Sequence, residues 1–165
     1  MIRIAVVGDI GSGKSYIANL FGYPVFNADL EVAKIYKANK NCFKRLKKIL
    51  PKYFSTFPAN KTQIIKAIDD NEKNLKKITK IIHPEIRKKL SIFLKKNKKR
   101  KAVILDIPLL LENKLNQKND IIIFVQSKKV DVIKKLKKRD NFNLKLYNKF
   151  KKIQLPLSYK KKNSN

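Results

Sequence analysis

The chain is poor in most of the residues that announce a specialised architecture. Its 165 residues include one cysteine, one methionine, four glycines, six prolines and no tryptophan. A lone Cys42 excludes a disulfide framework and a cysteine metal site within the chain. No uninterrupted apolar run approaches the ~20 residues needed to span a bilayer. The start is no secretory signal, because the apolar residues Ile4, Ala5, Val6 and Val7 are cut off at once by Gly8 and Asp9. A cytoplasmic protein with no membrane partner is the plain expectation.

Acidic residues are scarce as well: 12 against 41 basic ones, a formal net charge of +29. Such a field attracts phosphates and first suggests a nucleic-acid binder. Arginine, the better residue for bidentate reading of phosphates and bases, is nevertheless limited to Arg3, Arg45, Arg87, Arg100 and Arg139. Every other base is lysine, accompanied by many isoleucines and asparagines, a bias that an A/T-rich genome produces through its codons. A solvated lysine-rich surface that also suits anionic substrates is therefore preferred to a surface selected for nucleic acid.

What is present reads as one domain of ordinary hydrophobic content, 43%. Residues 2–7 form a β-branched run ending at glycine, the pattern of a buried parallel strand. A short helix is predicted over 14–21, a brief strand over 24–27, and a helix over 30–36 with Asp29 as its N-cap. Residues 41–94 read as mostly helical, with Pro51, Pro58 and Pro84 as breaks, and residues 95–101 as a charged loop. Further strands are predicted over 102–107 and 121–125, helices over 130–138 and 143–153, and a polar tail over 155–165. Strands separated by helices argue an α/β fold with a parallel sheet.

The strongest signal is Gly8-Asp9-Ile10-Gly11-Ser12-Gly13-Lys14-Ser15, which satisfies G-x-x-x-x-G-K-[ST] between a predicted strand and a predicted helix. The glycines let the backbone wrap phosphate oxygens, and the helix start points N–H groups at the anion. Lys14 would reach the β- and γ-phosphates, and the Ser15 hydroxyl would coordinate Mg²⁺. Asp106, closing the strand over 102–107, stands where a carboxylate would complete the magnesium shell, although a cap or turn role fits the same position. No N-K-x-D guanine-reading motif occurs, so within this class a kinase is favoured over a GTPase.

Four further segments, together with this loop, resemble the dephospho-CoA kinase family across essentially the whole chain. They are Asn27-Ala28-Asp29, Ile82-His83-Pro84-Glu85-Ile86-Arg87, the run from Leu105 to Glu112, and Arg139-Asp140 after a basic helix. The resemblance implies transfer of the ATP γ-phosphate to the 3′-hydroxyl of dephospho-CoA, the last step of coenzyme A biosynthesis. It implies a three-layer P-loop domain spanning 1–165, with a helical acceptor-binding region at about 40–95 and a small basic lid at about 129–150. Gly8, Gly11, Ser12, Gly13, Lys14, Ser15 and Tyr16 would bind ATP, with Mg²⁺ held by Ser15 and Asp106. Asp29 would be the catalytic carboxylate, rather than the simple N-cap it resembles in isolation. Lys14 and Arg139 would serve the transferring phosphoryl group, and Asp29, His83, Arg87 and Glu112 the acceptor.

The chain departs from that family at several positions. It has Asn27 in place of aspartate, Tyr16 in place of threonine, and Lys135 in place of an arginine. Gln154, Pro156 and Lys160 resemble the family's late helix, but Ser164-Asn165 falls where an Ala-Asp pair introduces a final strand, so that strand is expected to be missing. A kinase for another small hydroxyl or nucleoside monophosphate, and a basic nucleic-acid-binding P-loop ATPase, remain alternatives.

Overall fold

In a computed structural model, which describes residues 1–138 and 142–165, the β-branched runs become the strands of an all-parallel sheet. Strand β1 (Ile2–Gly8) leads through a loop into helix α1 (Lys14–Leu20), and β2 (Val25–Asn27) into α2 (Ala28–Ala38). Helices α3 (Lys40–Ile49), α4 (Lys61–Asp70) and α5 (Lys73–Lys96) follow. The chain returns as β3 (Ala102–Asp106) and β4 (Ile121–Val125), then closes with α6 (Lys129–Lys137), α7 (Leu144–Lys152) and α8 (Leu157–Lys162). The α/β expectation is met, and all four predicted strands are found.

Strand order is β2-β3-β1-β4. β3 is buried along its whole length, as a strand covered on both faces requires. Val6, Ala18 and Ile104 are fully buried together, with Ile4, Ile17, Tyr23, Val25 and Val125 packed around them. β1 is anchored at its start by a buried ion pair: Arg3 Nε lies 3.0 Å from Asp120 Oδ1, and Arg3 Nη2 donates to Asp120 Oδ2 at 3.1 Å.

The chain divides into two compact units. One holds Met1–Ala28 and Phe93–Asn165, that is, the sheet with its loops; the other is the helical stretch Asp29–Ile92. In the helical unit α3 is capped by Asn39, whose side chain accepts from Cys42 N at 2.9 Å. α4 opens with a capping box between Asn60 and Gln63. Cys42 is buried and free, so it behaves as a small core hydrophobe.

Four local expectations are corrected. Pro84 does not break the helix. It lies inside α5, where Ile78, Ile81, Ile82, Ile86 and Leu90 carry one buried stripe across it, and burial of that stripe outweighs the roughly 3 kcal/mol that an interior proline costs. The helix predicted over 30–36 is α2, which already begins at Ala28, so Asp29 lies within the first turn rather than capping it. α5 continues to Lys96 into the expected loop. The polar tail contains α8, and beyond it Asn165 lies alongside β4. There Asn165 N donates to Ile122 O at 2.9 Å, and Asn165 Oδ1 accepts from Ile122 N at 2.8 Å.

Candidate active site

The phosphate-binding motif occupies the turn from β1 into α1. Gly8 and Gly13 are two of the positions where glycine is required. Gly8 has φ 152°, and a Cβ there would lie 2.6 Å from the Val125 carbonyl oxygen. Gly13 is the N-cap of α1 in the left-handed conformation at φ 93°, with no side chain to satisfy the first-turn N–H groups. Those groups are left for an anion. Gly11 is closed over by Leu136 of α6, whose Cγ would lie 2.9 Å from an added Cβ. The loop is further tied to the segment after β4, because Ser127 Oγ donates to Ser12 O at 2.8 Å.

Lys14 is buried, with 8% of its surface exposed, and its Nζ donates to Asp9 O at 2.6 Å. A buried ammonium held on a main-chain carbonyl at the loop mouth is well placed to exchange that oxygen for a phosphate oxygen. Ser12 is also buried, and among the described residues its Oγ has no hydrogen-bond partner. Ser15 and Tyr16 are exposed in the first turn of α1.

Asp106 ends β3, between β2 and the strand that feeds the loop, and is only 3% exposed. It is in register with Asn27, whose Nδ2 donates to Asp106 Oδ2 at 2.7 Å. The carboxyl ends of parallel strands are where open α/β sheets bind ligands, so the structure brings the glycine loop, Lys14 and Asp106 to one edge. Among the described residues no group of three or more His, Cys, Asp or Glu could hold a metal alone.

Glu112 follows β3. Its Oε1 accepts from Leu155 N at 3.0 Å and pairs with Lys160 Nζ at 2.7 Å, the lysine side chain being 1% exposed. Among the described residues, Glu112 Oε2 and Gln154 Oε1 are buried with no hydrogen-bond partner. Of the late-helix residues of the sequence, Lys160 thus meets Glu112, a contact that the sequence did not predict.

The remaining residues expected on the acceptor side belong to the helical unit. Asp29 is exposed in the first turn of α2, where the helix dipole favours its charge. His83 and Arg87 are four residues apart on α5, with His83 half-buried and Arg87 exposed. Burial lowers the His83 pKa below its ordinary 6.5, and the nearby Arg87 cation lowers it further. The imidazole is therefore neutral at physiological pH. Arg139 lies outside the described residues. The sequence reading passed over Asp9 and Lys151, whose side chains form an ion pair; nothing distinguishes Lys151 from its many neighbours until the chain is folded.

Among known proteins, the dephospho-CoA kinase (CoaE) family model matches residues 2–165. A dephospho-CoA kinase of Wolbachia from Brugia malayi is 33% identical over 166 residues, covering 98% of this chain and 85% of the relative. One from Rickettsia typhi is 32% identical over 160 residues, with coverages of 94% and 81%. Of solved structures, a Thermus thermophilus protein superposes with TM-score 0.79 at 26% identity, covering 99% of this chain and 85% of that one. The dephospho-CoA kinase of Campylobacter jejuni shares the fold, with TM-score 0.63, 23% identity and the same coverages. No helix among the described residues is long and apolar enough to cross a membrane.

Proposed function

The chain belongs to the dephospho-CoA kinase family, and from that membership we infer its reaction. It transfers the γ-phosphoryl group of ATP to the 3′-hydroxyl of the ribose of dephospho-CoA, giving CoA and ADP. In this step the bond from the γ-phosphorus to the bridging oxygen breaks, a bond from the 3′-oxygen forms, and the hydroxyl proton leaves. The reading rests above all on the phosphate loop between β1 and α1, with buried Asp106 at the end of the neighbouring strand.

The roles follow from the chemistry of each group. The N–H groups of Gly11, Gly13, Lys14 and Ser15 hold the β-phosphate beside Ser12, whose own N–H is taken by Asp9 O, with Gly8 allowing the close approach and Tyr16 continuing the nucleotide side of α1. Lys14 exchanges the Asp9 carbonyl for β- and γ-phosphate oxygens and stabilises charge that spreads during transfer. Ser15 and Asp106 would hold Mg²⁺, which would supply positive charge to offset that of the phosphates. Asp29 accepts the proton of the acceptor hydroxyl and orients it in line with the γ-phosphorus. Arg139 adds a planar cation to the transferring group.

On the acceptor side, His83 is neutral and can both donate and accept a hydrogen bond, while the exposed Arg87 is free to meet a phosphate of dephospho-CoA. We assign Glu112 Oε2, which has no hydrogen-bond partner among the described residues, to an acceptor donor group, with Oε1 kept for Leu155 and Lys160. ATP and dephospho-CoA are small anionic partners, for which a lysine-rich surface is suited; the setting is the cytoplasm, where both occur.

The test is a kinase assay with purified protein, Mg-ATP and dephospho-CoA, following CoA and ADP by mass spectrometry. CoA that forms only with the acceptor present supports the reading. Phosphorylation of a nucleoside monophosphate instead, or ATP hydrolysis stimulated by nucleic acid, would overturn it.

A further inference from the structure

The phosphate loop of this chain carries a carboxylate at its second position. Asp9 is mostly buried, its side chain 14% exposed, and it sits among the groups that would face a triphosphate. An anion there repels the ligand that the loop is built to receive. The structure shows how that charge is met. Asp9 Oδ1 accepts from Ile10 N at 2.7 Å, and Asp9 O accepts from Lys14 Nζ at 2.6 Å and from Ser12 N at 3.2 Å. Asp9 Oδ2 takes the ammonium of Lys151, which arrives from α7, 142 residues further along the chain.

We propose that Lys151 is a positioning residue for the nucleotide: from α7 it neutralises the Asp9 carboxylate inside the phosphate loop, and so keeps the field of the loop attractive to a triphosphate. Two observations favour this role over a contribution to folding. The Lys151 side chain is 39% exposed, and ion pairs of that exposure contribute little to stability. Its partner, in contrast, lies within the phosphate loop itself, with Lys14 on its carbonyl and Ile10 N–H on its carboxylate. Removing Lys151 thus leaves the fold nearly unchanged and exposes the incoming phosphates to an uncompensated negative charge. The pair also joins α7 to the loop, so the basic segment after β4 takes part in nucleotide binding through a residue that no motif marks.

The inference rests on the reading of this loop as the ATP site, and a double-mutant cycle on binding separates the two. Mg²⁺ with a nonhydrolysable ATP analogue is titrated calorimetrically into the full chain, its Lys151→Ala, Asp9→Asn and double variants, and Lys152→Ala as an exposed same-helix control. Lys151→Ala weakens binding by about tenfold at low salt, the scale of a close charge contact, with the melting temperature shifted no more than in Lys152→Ala. In the Asp9→Asn background the same change costs less than about twofold, because the charge it compensates is gone. The tenfold loss also shrinks as salt rises. An equal loss in both backgrounds would overturn the inference and make Lys151 a direct phosphate contact. An equal effect of Lys152→Ala would overturn it in favour of general surface charge. A native chain that binds no nucleotide would overturn the reading of the site itself, and this inference with it.

Discussion

Asn27 and Asp106 end neighbouring parallel strands in register, and the Asn27 amide donates to the Asp106 carboxylate across 2.7 Å. An aspartate in place of Asn27, as the resembling family usually has, would set two carboxylates face to face, and one of them would have to hold a proton or share a cation. The amide instead gives the Asp106 carboxyl group a hydrogen-bond donor in a site that is 3% exposed. Asn27→Leu removes that donor and leaves a buried acceptor less satisfied, at a cost of about 1–3 kcal/mol. Urea denaturation of the variant measures it; an unchanged midpoint would mean that the bond contributes nothing.

Lys14→Ala removes the ammonium that the Asp9 carbonyl holds at the loop mouth. ATP turnover falls by roughly a hundredfold or more, the scale for losing one preorganised charge contact to a reacting group. Circular dichroism checks that the fold is retained, and steady-state kinetics with Mg-ATP reads the loss.

Asp29→Asn keeps the shape of the first turn of α2 and removes the proposed proton acceptor. ATP affinity stays near that of the native chain while kcat falls by roughly 10²–10⁴, because general-base assistance belongs to the transition state. Unaltered turnover would remove Asp29 from the catalytic set.

His83 is the only histidine, so one imidazole signal in a proton NMR titration reports it without ambiguity. Its pKa lies below the ordinary 6.5, from burial first and Arg87 second. With the folded value depressed, the unfolded chain binds more protons below about pH 6.5. His83 thus supports the fold above that pH, and its contribution is lost as the pH falls through the folded value. Arg87→Met shifts the titration upward only in part, since burial remains. Addition of dephospho-CoA moves the His83 signal if the acceptor lies against it.

Glu112 and Lys160 form a pair whose side chains are 10% and 1% exposed. Taking away one partner strands the other charge, so Glu112→Ala and Lys160→Ala each destabilise by about 3 kcal/mol. The double variant loses less than their sum. Thermal unfolding of the three variants checks both statements.

Much of this molecule was already determined by the order of residues along the chain. Strand β1, the glycine loop and α1 follow from local chemistry: a β-branched run, glycines that alone tolerate φ 93° at Gly13 or the approach of Val125 O at Gly8, and a lysine and serine at fixed offsets. Asp106 was legible for the same reason, as a carboxylate ending an apolar run. Where the sequence misread the chain, the deciding interaction was remote. Pro84 stays helical because residues on both sides of it share a buried stripe, and the late segment is ordered because Glu112 reaches Leu155 and Lys160, 43 residues on for the first of these. The partner of Asp9 was hidden most completely, since Lys151 is one lysine among many and its meaning is a matter of distance in space. Local conformational preferences are written in the sequence itself; which of many identical charges meets a given carboxylate is decided only when the sheet and its helices bring them together.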